Sequence, residues 1–437
     1  MRIAWFTPLS QKSAIARFSA AATASLSKMA DLDLCYFDAE DIREPTVPTR
    51  HFQSAASVPT ETLNTYDVVV YNFGNYLPFH REIYLLSRRW PGVCILHDLV
   101  MHHFFAAYCF DYLRDAAAYQ LLLENSYGVS APASGRVWET EEVVRFPLFE
   151  EAIRGALGVI THSNFFKDRV EACFAGPVTR ISLAYDKGPT RSAVSRKQLG
   201  LTPDQILLVT VGHVNPNKQI ESVIDALAQI GFDSRSIVYA VLGPASPDYE
   251  RKLKTQAEEK GLGSVVRFLG EVSDEILGAY LSAADVCVNL RFPAMEGASA
   301  SVIEEMLFGK PVIFTDTGFF SELPDECVIK VPPGSATELA SALRYLAKDS
   351  SARELAGARA KAFAEAEFHA DRYAKRVMEF IGEIQGAKPL ISLVDRVGVE
   401  LGRMGVRADT PILDVVAREI QDTFVSEHPA LHGRRRP

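Results

Sequence analysis

The six cysteines include no pair with the spacing of a zinc clip or a redox CxxC motif. Cys94 and Cys287 sit inside apolar runs, so the cysteines read as small buried hydrophobes in a reducing compartment. Long apolar runs are also missing. None approaches the roughly 20 residues that a spanning helix needs. The opening stretch, residues 1–7 (MRIAWFT), reads as a short buried strand and is too short for the apolar core of a leader. A cytoplasmic location is therefore expected. An excess of positive charge is absent as well: 46 Lys and Arg stand against 55 Asp and Glu, a net charge of -9. That balance argues against nucleic acid as a partner.

What the chain does have is length and alternation. Its 437 residues suit two cores better than one. Short apolar, β-branched or aromatic runs at 3–7, 32–37, 68–73, 93–96 and 158–161 read as buried parallel strands. Helical stretches at 14–30, 79–89 and 164–174 lie between them. A polar, Gly- and Pro-containing segment, 184–196, reads as an interdomain linker. The alternation then restarts, with strands at 207–212, 238–243, 265–269, 286–290 and 312–315. Helices are expected at 220–230, 249–260, 274–283, 301–308 and 336–347. Strands alternating with helices imply doubly wound parallel sheets, here two of them. We place an N-terminal Rossmann-like domain at 1–190, a second at 191–370, and C-terminal helices at 371–437 crossing back to the first. Residues 102–123 read as one amphipathic helix packed on a core; a surface for a membrane or lipid-linked molecule is the alternative. The basic 434–436 end reads as a solvated tail.

In open α/β sheets, ligands bind beyond the carboxyl ends of the strands. The most informative strand end is 289–313, NLRFPAMEGASASVIEEMLFGKPVI. Gly297, Ala298, Ser299, Ala300 and Ser301 are all small and lie where a helix begins. Free N–H groups and the helix dipole there favour an anion. Glu296 in the loop and Glu304 early in the helix supply carboxylates that accept hydrogen bonds from sugar or ribose hydroxyls. N–H donors for phosphate beside carboxylates for hydroxyls are the chemistry of holding a nucleotide sugar.

Glu296-x7-Glu304, followed by Gly309-Lys310-Pro311-Val312-Ile313, resembles the signature of glycosyltransferase family 4, which has the GT-B fold. The resemblance implies two Rossmann-like domains facing each other across a cleft. It implies Glu296 on the donor sugar and Glu304 on the ribose. A second matching stretch is 209–226, where the family reads roughly VGR-x-x-x-x-K and the two cations neutralise the diphosphate. Lys218 matches the Lys, while His213 stands at the Arg position. An Arg is a fixed cation, and a His is charged only if its pKa is raised. In the first loop, 7–19, Ala14 stands where the family usually has Gly; the resemblance places this loop at the acceptor side with backbone N–H groups toward the donor phosphate. Phe268-Leu269-Gly270-Glu271-Val272 falls where the family holds the base, largely through backbone atoms.

His97 and Asp98 follow a strand, at a position where related transferases carry a His facing the reacting sugar. His97 is expected to hydrogen-bond the sugar or the acceptor hydroxyl. With His102 and His103 these residues could form a metal set, but the spacing matches no stated geometry, and no metal is expected. Smaller likenesses to bacterial polysaccharide transferases are Tyr71-Asn72-Phe73-Gly74-Asn75, Pro78-Phe79-His80, Thr161-His162-Ser163 and Glu322-Leu323-Pro324-Asp325; Ser163 reads equally as a helix cap. The resemblance runs from 1 to about 382 and is weakest in 133–149 and the tail.

The resemblance implies a retaining transfer by front-face attack; separately, the strand ends of the first half show no obvious nucleophile for a two-carboxylate scheme. The catalytic set it implies is Glu296, His97 and Lys218. The donor is a nucleoside-diphosphate sugar (GDP-, UDP- or dTDP-linked, with GDP-mannose the first guess by analogy), and no metal is needed. The acceptor is a glycan or lipid-linked molecule in bacterial surface polysaccharide assembly, with peripheral contact at the inner membrane face. A non-catalytic nucleotide-sugar-binding scaffold, or another GT-B enzyme such as a sugar-nucleotide epimerase, is the alternative.

Overall fold

Buried β-branched runs such as Val68-Val69-Val70 and Leu207-Leu208-Val209 become central strands. Amphipathic runs between them become helices that cover the sheets. The computed structural model describes residues 1–130, 140–185, 192, 194–231, 236–407 and 410–424. Contacts divide the chain into two compact units. The first holds Met1–Thr161, Lys167–Ile181 and the described residues from Tyr373 on; the second holds His162–Phe166 and Ser182–Arg372.

The first unit is built on a seven-stranded parallel sheet. Its strands are β1 (Arg2–Phe6), β2 (Asp31–Tyr36), β3 (Thr49–His51), β4 (Val68–Phe73), β5 (Val93–Leu96), β6 (Gly158–Thr161) and β7 (Val178–Arg180). Their spatial order is β3-β2-β1-β4-β5-β6-β7, so the winding reverses between β1 and β4. Helix Ala14–Leu26 is fixed to β1 by buried polar contacts: Trp5 Nε1 donates to Ser19 Oγ at 3.1 Å, and the Thr7 and Ser19 hydroxyls pair at 2.7 Å. The long helix Ala370–Arg403 docks against β6. A Cβ on Gly158 would lie 2.5 Å from Ile384 Cδ1, so glycine is what permits that approach.

The second unit has six parallel strands: β8 (Ile206–Val211), β9 (Ile237–Leu242), β10 (Val266–Gly270), β11 (Val286–Val288), β12 (Val312–Thr315) and β13 (Ile329–Val331). Their order is β10-β9-β8-β11-β12-β13, and the reversal falls between β8 and β11. Its core packs Leu208, Tyr239, Val286 and Ile313 from the sheet against Val223, Ile224 and Leu227 of helix Ile220–Ile230 and Leu339 and Leu343 of helix Ala336–Lys348. Burying a side chain of that size contributes about 1.5–3 kcal/mol each.

Three expectations are corrected. Residues 102–123 do not form one helix. Helix His102–Ala107 runs into a π-helical turn, Tyr108–Leu113; Arg114 then takes φ 55°, and Asp115 starts a new helix, Ala116–Tyr127. The Asp115 carboxylate accepts from the N–H groups of Ala117 and Ala118, and this N-cap is the local reason for the break. Three strands beyond those expected are present, β3, β7 and β13, and all three lie at sheet edges. Edge strands need no continuous apolar run, and β3 is wholly exposed. Cys173 is exposed at the end of helix Asn164–Cys173, while the other five cysteines are buried as expected. The expected linker is described only at its ends, because 186–191 and 193 lie outside the described residues, as does the basic 434–436 end.

Candidate functional site

The winding reversal between β8 and β11 leaves a crevice beyond the carboxyl ends of those two strands. The loops that leave them carry the residues singled out above, and hydrogen bonds tie the loops together. Phe292 N donates to the Asn217 carbonyl at 3.0 Å, and Asn217 Nδ2 donates to the Pro293 carbonyl. Thr315 Oγ1, at the end of β12, accepts from Arg291 N at 3.2 Å and lies 3.4 Å from Gln219 Oε1. Lys218 and Arg291 are thus anchored in one place.

Lys218 is 3% exposed, and its ammonium donates to the Val211 carbonyl at the end of β8. Gly212 lies directly over it: a Cβ there would stand 3.0 Å from Lys218 Nζ, and the backbone takes φ 107°. Burial, and then the charge of Arg291, push the Lys218 pKa well below its usual value; Glu296 and Glu305 pull the other way. Arg291 is itself buried at 5% exposure. Its Nε donates to Glu296 Oε1 at 2.9 Å, and its Nη1 donates to the Leu290 carbonyl at 2.9 Å.

Beyond Glu296 the chain passes Gly297 and Ala298 and enters helix Ala300–Leu307. Ser299 occupies the N-cap position, yet its side chain makes no capping bond; its hydroxyl pairs with that of Ser301 at 3.2 Å. The cap side chain thus leaves the N–H groups of the first turn unclaimed, which suits an anion. Glu304 is 5% exposed on this helix, and Glu305 is fully buried. Asn289 Nδ2 donates to both Glu305 Oε1 and Ser301 Oγ, each at 2.9 Å. Burial pushes the Glu305 carboxyl up to about 8, against the pull of Lys218, Asn289 and Arg291. Gly270 ends β10; its carbonyl accepts from Gly243 N at 2.8 Å, and φ 64° suits glycine.

The first unit offers a second set of strand ends around its own reversal point. Ser13 caps helix Ala14–Leu26, and Ala14 is its exposed first residue. Ala14 is not among the residues of positive φ, so alanine meets no strain there. After β5, His97 is 9% exposed; its Nε2 lies 3.0 Å from Asn72 Oδ1, and its ring stands edge-on to Phe18 at 4.8 Å. Asp98 Oδ2 accepts from Asn75 N at 2.8 Å. A Cβ on Gly74 would fall 2.8 Å from His80 Nε2 and 3.3 Å from Asp98 Oδ2. His102 contacts the Phe146 carbonyl at 2.6 Å and the Tyr119 hydroxyl at 2.7 Å. Among the described residues no His, Cys, Asp and Glu side chains group as a metal site.

The sequence-derived residues Lys218, Glu296, Gly297, Ala298, Ser299 and Glu304 all lie at the β8/β11 strand ends, with Gly270 two strands away. His213 is in the same loop but exposed. Ala14 and His97 belong to the first unit. Sequence reasoning missed Asn289, Arg291 and Glu305. Asn289 directly follows β11 but falls inside the expected strand 286–290, while Arg291 is the first residue after that run and met the strand-end criterion. Glu305 had a signal too, a charge on the buried stripe of Val302, Ile303 and Met306. Ser163 does cap a helix, accepting from Phe166 N at 3.3 Å, while Glu322 accepts from the N–H groups of Asn164 and Phe165.

Residues 192–363 match the family model described as "Glycosyl transferases group 1". A putative teichuronic acid biosynthesis glycosyltransferase, TuaC of Bacillus subtilis, is 34% identical over 152 residues, 34% of this chain and 35% of that protein. The GDP-mannose-dependent alpha-(1-6)-phosphatidylinositol dimannoside mannosyltransferase of Mycobacterium tuberculosis is 28% identical over 172 residues, 38% of this chain and 42% of its own length. The chain thus spans well under half the length of these curated relatives. The crystal structure of HepE from Anabaena with UDP and glucose superposes at TM-score 0.62 with 19% identity, covering 87% of this chain and 99% of that one. WaaG, a glycosyltransferase involved in lipopolysaccharide biosynthesis, superposes at 0.59 with 17% identity, covering 87% and 99%. The fold, two doubly wound parallel α/β units, is the GT-B fold of these glycosyltransferase structures, and the second unit carries the group 1 match.

Proposed function

We propose that the protein is a retaining glycosyltransferase that moves a sugar from a nucleoside-diphosphate sugar to a glycan or lipid-linked acceptor. The observation that carries this reading is the joining of Lys218, Glu296 and the uncapped start of helix Ala300–Leu307 at one winding reversal. In this reading Lys218 and the first-turn N–H groups neutralise the leaving diphosphate, Glu296 holds the donor sugar, and Glu304 accepts from the ribose hydroxyls. Residues 191–370 are the donor domain and 1–190 the acceptor-side domain, with the described helices after 370 returning to the latter. His97 hydrogen-bonds a sugar or acceptor hydroxyl. The bond from the anomeric carbon to the diphosphate oxygen breaks, and the acceptor oxygen bonds to the same face. The acceptor's proton passes to the departing diphosphate. The protein contributes positioning and charge stabilisation.

GDP-, UDP- and dTDP-sugars are the donor candidates. The GDP-mannose dependence of the mycobacterial relative and the UDP bound by HepE make the first two the ones to try first. The names of the relatives support a place in bacterial glycan or glycolipid assembly, and we place that work at the cytoplasmic membrane face. The test is sugar transfer together with thermal shift by nucleoside diphosphates. Glu304→Ala and Lys218→Ala should abolish a shift seen with the parent. Glu296→Gln should stop transfer; unchanged transfer in Glu296 and Lys218 variants would sink the site assignment.

A non-catalytic nucleotide-sugar-binding protein of the same fold is the second reading. Exposed His213 at the place of a fixed cation is the observation in its favour. Nucleotide binding without turnover on any donor would establish it.

A further inference from the structure

We infer that Arg291, rather than His213, is the second cation of the diphosphate site, and that Arg291 and Lys218 together select a diphosphate over a single phosphate. This rests on the proposed donor site and adds a residue to it. The first ground is placement. Arg291 leaves β11 on the crevice side of the winding reversal, and its loop is bonded to the Lys218 loop through Phe292 N, Asn217 Nδ2 and Thr315 Oγ1. His213 leaves the neighbouring strand β8 but stands exposed.

The second ground is energetic. Two cations are both more than nine-tenths buried, and the charge of one disfavours the charge of the other. Burying like charges side by side is costly unless an anion joins them. The charged groups that face the pair are Glu296, bonded to Arg291, and Glu305 on helix Ala300–Leu307, whose own neighbour is Glu304. Glu296 binds only Nε of the guanidinium, and Nη1 turns to the Leu290 carbonyl. The planar fork keeps further N–H donors, and phosphate oxygens match its geometry better than they match a point charge. Two phosphates in series give the ammonium and the guanidinium one partner each. A single phosphate serves only one of them well.

The experiment measures the binding of UDP, GDP, UMP and GMP by calorimetry to the parent, Arg291→Gln, Arg291→Lys and His213→Ala. Arg291→Gln should weaken the preferred diphosphate about ten- to a hundredfold, as expected for a lost charge-assisted bond, and move the matching monophosphate far less. Arg291→Lys should recover part of the loss. His213→Ala should stay within about twofold of the parent. Equal diphosphate affinity in Arg291→Gln and the parent would overturn the inference and leave the donor-site reading standing. So would a tenfold loss in His213→Ala. Failure of the parent to bind any of the four nucleotides would remove the donor site itself. Arg291→Lys keeps the ion pair with Glu296, so it decides the matter should Arg291→Gln not fold.

Discussion

Asn72 presents its side-chain oxygen to Nε2 of His97 at 3.0 Å while its side-chain nitrogen donates to the Phe6 carbonyl at 3.0 Å. A carbonyl can only accept, so the amide orientation is fixed by Phe6 and not by choice. Oδ1 is then the atom facing His97, and Nε2 of His97 must carry the hydrogen. In a neutral ring Nδ1 becomes the accepting nitrogen. His80 is set the other way: its Nδ1 faces the Asn72 backbone carbonyl at 3.0 Å and carries the proton, and burial lowers its pKa to about 4, so it stays neutral.

This gives a spectroscopic prediction. Two-bond nitrogen–proton correlation on histidine-labelled protein should show His97 as the Nε2–H tautomer and His80 as the Nδ1–H tautomer, assigned by single His97 and His80 variants. Asn72→Leu should mix the His97 tautomers and lower kcat for sugar transfer by at least about tenfold, with donor KM little changed. The parent's own spectrum decides the tautomers even where the variant folds poorly. An Nδ1–H signal for His97 would defeat the assignment.

Lys218 predicts a separation of binding from stability. Its folded pKa lies well below 10.5, so the fold releases that proton earlier than the unfolded chain does. Stability therefore rises with pH from the folded pKa up to 10.5, and at lower pH the buried charge is a cost. Lys218→Met removes the charge and keeps the volume. Its ligand-free unfolding midpoint at pH 7 should equal or exceed the parent's, and its shift with nucleoside diphosphate should vanish. Such exchange of stability for function is common at binding sites. A large drop in the ligand-free midpoint would mean that Lys218 holds the fold together instead.

Glu305 carries the opposite sign. Its carboxyl is pushed from 4.5 up to about 8, so the fold holds a proton that the unfolded chain has released. The resulting stability is fully present below 4.5 and is lost as pH rises through about 8. Among the described residues Glu305 Oε2 and Asn289 Oδ1 have no hydrogen-bond partner, which also disfavours a bare carboxylate. Glu305→Gln keeps an acceptor for Asn289 and cannot ionise. Urea unfolding at pH 5.5, 7 and 9 should show the variant gaining on the parent at each step. A constant difference across that range would show that Glu305 is already ionised in the fold.

How much of this was legible beforehand differs by residue. Central strands such as β4 and β8 were readable because both faces are buried and the apolar run is unbroken. β3, Thr-Arg-His, carries no such pattern, because only its pairing to β2 makes it a strand. The strand-end rule pointed to Glu296 and His97, and the family resemblance to Lys218. Arg291, the first residue after the expected strand 286–290, met the same rule, but the resemblance directed the second cation to His213; Asn289 was hidden because β11 ends at Val288, earlier than its apolar composition suggests. The helix break at Arg114 followed from one capping side chain, Asp115, whose effect competes with a helical periodicity that runs straight through it. His213 could be ranked beside Lys218 only by sequence position; exposure, which separates them, is a property of the folded loop.

The close packing under the β8 loop yields the last prediction. Gly243 takes φ 144°, and a Cβ there would lie 2.1 Å from the Gly212 carbonyl oxygen, the residue that roofs Lys218. Gly231, at the end of helix Ile220–Ile230, also has positive φ, 75°, but a Cβ there meets nothing within 4 Å among the described residues. Gly231→Ala therefore incurs only backbone strain, about 1 kcal/mol. Gly243→Ala adds a clash of the new Cβ with the Gly212 backbone, which no side-chain rotation relieves. It should cost several kcal/mol more, on the order of the largest single-residue effects. If it folds, Gly212 must move, and Lys218 with it, so nucleotide binding should fall in Gly243→Ala and survive in Gly231→Ala. Equal unfolding midpoints for the two variants would show that the β8 and β9 loops are not packed as tightly as the Gly212–Gly243 contact requires.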